Sequence, residues 1–242
     1  MMLEIYQKTL RDEVNFQGVG LHTGISSKVK ILPGKVNSGI IFKRVDLNED
    51  NLISANFKNV SSAKLCTTLE NDCGVKVSTV EHLLAALYIE GIDNAIIEID
   101  GQEMPIMDGS AKEFLKLLKD VKQKTQDKKR KYLKVLDNLE LIDGERKFLI
   151  EPSINSLQVE FKLSYNNKII GNQKNIVDFD KDELEDVYSS RTFCLFDDIE
   201  KIKKMGLAKG GSLENAVVVD NEKVLNEDGL RNEKEFVNHK IL

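Results

Sequence analysis

The chain has no tryptophan and only three prolines, three cysteines and three histidines among 242 residues. Each shortage excludes something. With aromatic residues at 6%, stacking on sugar or base rings is not advertised. Cys66, Cys73 and Cys194 are an odd number and form no CxxC pair, which argues against a disulfide framework and against a zinc knuckle. Reduced thiols suit a cytosolic home. No apolar run approaches the roughly 18 residues that a membrane span needs, so no stable membrane insertion is expected. The opening MMLEIYQKTLRDE scatters charge through every turn and lacks the apolar centre of a signal peptide. A cytoplasmic location is the expectation. The net charge of −5 argues against nucleic acid as a main partner. One basic run, Lys128, Lys129, Arg130 and Lys131, is read as a solvated linker rather than an anion site. Nothing suggests a coiled coil or a large sticky patch, so a monomer is expected.

What is present is a folded chain of ordinary balance, 41% hydrophobic and 31% charged. Its first half opens with strand-like runs: EVNFQGVG, SSKVKILPG, GIIFKRVD, and further short runs up to VKVSTV. TVEHLLAALYIEG is the first convincing helix, with Ser78 as its predicted N-cap and Gly91 where a closing glycine belongs. NAIIEID is a strand, and AKEFLKLLKDV is a second helix with Phe114, Leu115, Leu117, Leu118 and Val121 as its apolar stripe. Residues 119–131 then lose nearly all apolar content and mark a domain boundary. After it, Asp143-Gly144 signals a hairpin, LQVEFKLSY a strand, DKDELEDVYSS and DDIEKIKKMG helices, AVVVD a buried strand and NEKEFVNHKIL a final helix. The pattern predicts an α+β protein of two related units, 1–125 and 126–242, although no residue-level repeat proves duplication.

The chemistry centres on the histidines. His82 follows Glu81 near a helix start, where an imidazole can bind zinc while a carboxylate takes a proton from water. The residue one turn on is Ala86, so this helix offers a single ligand. The plainer reading is equally physical. Ser78-x-x-Glu81 has the spacing of a capping box, and a histidine at 82 can be an ordinary helix residue. His239 lies on the last helix and, taken alone, is also ordinary. His22, in the glycine-rich GVGLHTG, reads as part of a structural turn; the spacing is not that of a dinucleotide-binding loop. GLAKGGSLENAVVVD is either a loop that lets a ligand approach the backbone or a flexible connection.

FQGVGLHTG, KLCTTL, VSTVEHLLAAL, MPIMDGSA, SRTFCLF, GLAKGGSLENAVVVD and LRNEKEFVNHKIL together resemble one family, in its order, over residues 16–242. It is the bacterial UDP-3-O-acyl-N-acetylglucosamine deacetylase family, zinc enzymes of an early step in lipid A (lipopolysaccharide) biosynthesis. The resemblance implies two similar α+β domains, each a sheet packed on helices, with the active site between them. It also implies a reaction: zinc and a general base activate water against the sugar's N-acetyl group, and acetate leaves. Carried over by motif, Glu81 is the base, His82 and His239 are zinc ligands, and Thr192 holds the oxyanion. Phe193 and Lys240 contact the UDP-sugar, and Leu65 and Cys66 flank the site. Ile199, Gly211, Ser212 and Ala216 fall in the insert that forms a tunnel for the acyl chain. His22 stays structural or behind the site. The resemblance places a third zinc ligand, an aspartate, one turn past His239, and a further aspartate and a catalytic histidine later still. All lie past residue 242, so impaired activity is expected of this chain. The rival readings are an inactive module that binds the UDP-sugar lipid and, further off, a structural or interaction protein with incidental histidines.

Overall fold

The computed structural model describes residues 5–154 and 156–242. The first half runs β1 (Tyr6–Leu10), β2 (Val14–Val19), β3 (Ser26–Pro33), β4 (Ile40–Arg44), β5 (Leu52–Ser54), a 3-10 turn (Phe57–Asn59), β6 (Val60–Ser62), β7 (Thr68–Glu70), β8 (Lys76–Ser78), α1 (Glu81–Ile89), β9 (Ala95–Ile99), α2 (Lys112–Val121) and β10 (Gln123–Lys129). The second runs β11 (Leu139–Asp143), β12 (Arg146–Ile150), β13 (Gln158–Ser164), β14 (Asn172–Asp178), α3 (Glu185–Tyr188), β15 (Phe193–Leu195), α4 (Phe196–Lys204), β16 (Val217–Val219) and α5 (Glu235–Ile241). The α+β class is borne out.

A five-stranded sheet, ordered β2-β3-β9-β4-β5, forms the floor of the first half. Strand alternation explains which face is inside: Val29 and Ile31 of β3, and Ala95, Ile97 and Ile99 of β9, are all buried. Against them lie the stripes of α1 (Leu83, Ala86, Leu87) and α2 (Phe114, Leu115, Leu118), in one continuous core. Each Val, Ile, Leu or Phe among them contributes roughly 1.5–3 kcal/mol by leaving water. A second core joins Leu163 of β13, Val217 and Val219 of β16, and Phe236 and Val237 of α5. A third, smaller one joins Val177, Val187 and Ile241. The hairpin β11–β12 forms at Asp143-Gly144 as expected, with Gly144 at φ +58. Leu141 and Phe148 pair on one of its faces and stay exposed. Among the described residues no helix is long and apolar enough to cross a membrane.

Three local expectations are corrected. Residues 119–131 are not a linker. They finish α2 and continue as β10, which pairs antiparallel with β1. Polar pairing overrides the poor apolar content: Asn94 Nδ2 donates to Gln7 and to Gln126, and Arg130 bonds the Gly91 carbonyl at 2.6 Å and Asp93 at 2.8 Å. The expected cut at 125/126 therefore falls inside a strand. The acidic stretch around 181–190 forms only the short α3, Glu185–Tyr188. Finally, α1 is entered from Val80 without a side-chain cap. Ser78 belongs to β8 and points its hydroxyl at the Gln102 carbonyl, 3.2 Å away.

Candidate active site

The loss of the capping box frees Glu81. Thr79 takes φ +56 between the fully buried Val77 and Val80, so the chain turns sharply from β8 into α1. Glu81 and His82 are thereby set at the first turn of α1. Glu81 Oε2 accepts from the Thr67 N–H at 2.9 Å. That donor follows Leu65, held at φ +66, and Cys66, whose Sγ lies 3.9 Å from Thr68 Oγ1. Burial pushes the Glu81 carboxyl above its ordinary value, while its own amide, that of Thr67 and the Lys240 charge pull it back. A carboxyl raised in this way is easier to protonate, which suits a base. The Cys66 thiol is also pushed up, by burial first and then by Glu81.

From the other side, α5 brings His239. Its ring lies edge-to-face with that of His82, centroids 5.2 Å apart. His239 Nδ1 is 3.2 Å from the Ser190 carbonyl oxygen. Burial drives His82 down to about 4 and His239 well below its ordinary value, the neighbouring His82 adding to the second shift. Both imidazoles are thus neutral at pH 7. The buried Nδ1 of His82 has no hydrogen-bond partner. A pair of neutral rings with an unsatisfied buried nitrogen matches what a zinc ion takes from protein. Among the described residues no three His, Cys, Asp or Glu side chains form a metal-holding group. The residues present fit two positions of such a site.

Phe193 and Lys240 join this cluster. The Phe193 ring lies 6.3 Å from His239 and 5.0 Å from Phe236, and the Lys240 ammonium stands over it, 5.0 Å from the centroid. Thr192 is pinned through its backbone: its N–H donates to the Gly109 carbonyl at 2.8 Å, and its carbonyl accepts from Val217 at 2.8 Å. Ile199 lies on α4, while Gly211, Ser212 and Ala216 belong to the segment between α4 and β16. Among the described residues no hydrogen bond or ion pair joins these four to Glu81, His82 or His239. That segment packs on the His22 turn, where Lys209 and Gly210 donate to the carbonyls of His22 and Leu21 at 3.2 and 3.0 Å. It is a docked loop, not a loose connection.

His22 is buried with neither ring nitrogen partnered, and burial lowers its pKa against the pull of Glu103. Its turn is organised by Glu103, 1% exposed, which accepts from the amides of His22 and Thr23 and the hydroxyl of Thr79 at 2.7–3.0 Å. Sequence reasoning missed Glu103, the amide of Thr67 and the carbonyl of Ser190. Backbone groups carry no side-chain signature, and Glu103 stands one residue before the quoted stretch MPIMDGSA. It also missed the ion pair of Asp108 with Arg231, 2.8 Å, which ties the start of α2 to the approach of α5.

The family model for UDP-3-O-acyl N-acetylglycosamine deacetylase (LpxC) matches residues 7–242. The chain is 41% identical over 242 residues to the UDP-3-O-acyl-N-acetylglucosamine deacetylase of Phenylobacterium zucineum, covering 98% of this chain and 82% of that protein. It is 44% identical over 241 residues to the deacetylases of the same name from Shewanella denitrificans and Shewanella woodyi, covering 98% of this chain and 78% and 79% of those proteins. The chain belongs to the UDP-3-O-acyl-N-acetylglucosamine deacetylase family of hydrolases.

Proposed function

We propose that this protein hydrolyses the N-acetyl group of a UDP-linked, 3-O-acylated N-acetylglucosamine with zinc as cofactor, an early step towards lipid A. The observation that carries this is the pair of neutral imidazoles, His82 and His239, with ring centroids 5.2 Å apart, and Glu81 next to His82 at the start of α1 and within reach of the charge of Lys240. Zinc held there would act as a Lewis acid on the amide carbonyl and on water. Glu81 takes the proton from the water that attacks the amide carbon. The Thr192 hydroxyl donates to the oxyanion that develops on the former carbonyl. Lys240, braced on Phe193, faces the phosphate side of the nucleotide. Leu65 and Cys66 border the reacting sugar, and Ile199, Gly211, Ser212 and Ala216 line the path of the acyl chain. Glu81 returns that proton to the nitrogen as the carbon–nitrogen bond breaks, leaving acetate and a free amine.

The proposal includes two α+β units with the site between them, their boundary moved from 125/126 to the end of β10, and a monomer acting in the cytoplasm. It also includes a limit. A catalytic zinc site uses three protein ligands; in this reading His82 and His239 are two, and among the described residues no group of three is present. Held by that pair alone, zinc should bind weakly. The same shortage favours a second reading, an inactive module that binds the UDP-sugar lipid.

The test is acetate release from the UDP-3-O-acyl substrate with zinc present, beside the Phenylobacterium zucineum relative. Slow, chelator-sensitive release supports the deacetylase. Binding without release supports the module. Neither binding nor release sinks both, and release at the relative's rate removes the limit.

A further inference from the structure

Arg191 and Glu235 form the most deeply buried ion pair among the described residues, with side chains 2% and 0% exposed. Arg191 Nε donates to Glu235 Oε1 at 2.8 Å, and the Arg191 backbone N–H donates to the same oxygen at 3.0 Å. Nη2 donates to Glu235 Oε2 at 3.3 Å and to the Gly229 carbonyl at 2.7 Å. Oε2 also accepts from the Arg231 backbone N–H at 2.7 Å. Stripping two charges of water is costly, and an apolar pair of similar volume often stabilises a fold as well or better. What the pair adds is fixed geometry. A guanidinium is a rigid planar fork, and a lysine ammonium in its place would not span the carboxylate and the carbonyl together.

The place of the pair shows what that geometry serves. Glu235 opens α5, and His239 follows one turn later on the same helix. Arg191 sits between Ser190, whose carbonyl faces His239 Nδ1, and Thr192, whose amide is tied to Gly109. A carbonyl oxygen has no hydrogen to give, so the contact requires the proton on Nδ1. The lone pair is then left on Nε2. At 3.2 Å the contact is already long. A slip of α5 by about 0.5 Å would take it out of hydrogen-bonding range.

We propose that Arg191 and Glu235 are positioning residues: their buried fork clamps the first turn of α5 to residues 190–192, and so sets the tautomer and orientation in which His239 offers Nε2 to a metal ion. The last clause rests on the reading of His239 as a zinc ligand; the tautomer does not.

With three histidines in the chain, long-range proton–nitrogen NMR correlations resolve each imidazole. The protein and its Glu235→Gln and Arg191→Lys variants are compared for the His239 tautomer, for zinc affinity by chelator competition, and for thermal unfolding. The expected result is a pure Nδ1–H tautomer in the unaltered protein. In both folded variants the two His239 nitrogen shifts average and zinc affinity falls at least tenfold, while His22 keeps its spectrum. An unaltered protein that binds no zinc, with the tautomer still lost in the variants, would sink the zinc reading and uphold the positioning role. Folded variants that melt earlier but keep the His239 tautomer and the zinc affinity would overturn the proposal. Loss of fold in both variants would overturn it too, because the pair would then be a folding device.

Discussion

Replacing Gly109 with alanine is expected to cost far more than the same change at Gly39, although both hold left-handed backbone, at φ +84 and +66. Alanine in that region costs about 1–2 kcal/mol. A stiffer unfolded chain returns roughly 0.4–1 kcal/mol of it. The two sites differ in their surroundings. At Gly39 an added Cβ meets nothing within 4 Å. At Gly109 it runs into the Asn215 carbonyl oxygen and comes to 2.8 Å from the carbonyl carbon. Asn215 does not yield freely, because its side chain accepts from Ser212 N–H at 2.9 Å and donates to the Gly210 carbonyl at 3.0 Å. Forcing it aside resembles overpacking a core, about 1–3 kcal/mol. The Gly109 carbonyl also holds the Thr192 amide at 2.8 Å, a bond worth about 0.5–1.5 kcal/mol net. Gly39→Ala should therefore lose about 0–1.5 kcal/mol and Gly109→Ala about 2–6 kcal/mol. In a chain of this size the gap between their Tm values should be roughly 4–15 °C. Circular dichroism melts of the two variants measure it. Equal Tm values would refute the argument from close approach.

Two further outcomes are expected. Glu81→Gln keeps an oxygen for the Thr67 amide and should melt like the unaltered protein while acetate release falls roughly 10²- to 10⁴-fold; Glu81→Ala should match that loss and also leave the amide unpaired, at about 1–3 kcal/mol in urea unfolding. Release retained by Glu81→Gln would remove Glu81 as the base. Phe236→Ala should lose about 3–5 kcal/mol in the same unfolding assay, since the ring is fully buried against Phe193, and a loss near zero would show that the second core does not depend on it.

Much of the fold was legible because periodicity and burial agree. The alternation in SSKVKIL and NAIIEI marks strands whose inner residues are buried, and α2 buries Phe114, Leu115 and Leu118 from its apolar stripe. Reading failed where tertiary partners decided. KTQDKK looks like a linker because its own residues are polar, yet β1 and the Asn94 network recruit it into a sheet. Ser78 and Glu81 have capping-box spacing, yet pairing of β8 with β7 and the turn at Thr79 part them. In both places a long-range pairing outweighed a local preference of about 1 kcal/mol.

By itself the sequence determined the residue types of the chemistry: one carboxylate beside one histidine on α1, a second histidine on α5, and a family pattern joining them over 16–242. Only the tertiary structure decided that the two rings stand 5.2 Å apart, that Glu81 faces the Thr67 amide, and that His239 leans on the Ser190 carbonyl. His82 and His239 are far apart in the chain, and no local rule brings them together. Leu242, at the end of α5, packs against both the first core and the third and so links the two sides, and the Arg191–Glu235 pair joins the first turn of α5 to the strand region that the ring leans on. Burial also keeps both imidazoles neutral, because a charge removed from water on each ring would cost more than its neighbours return.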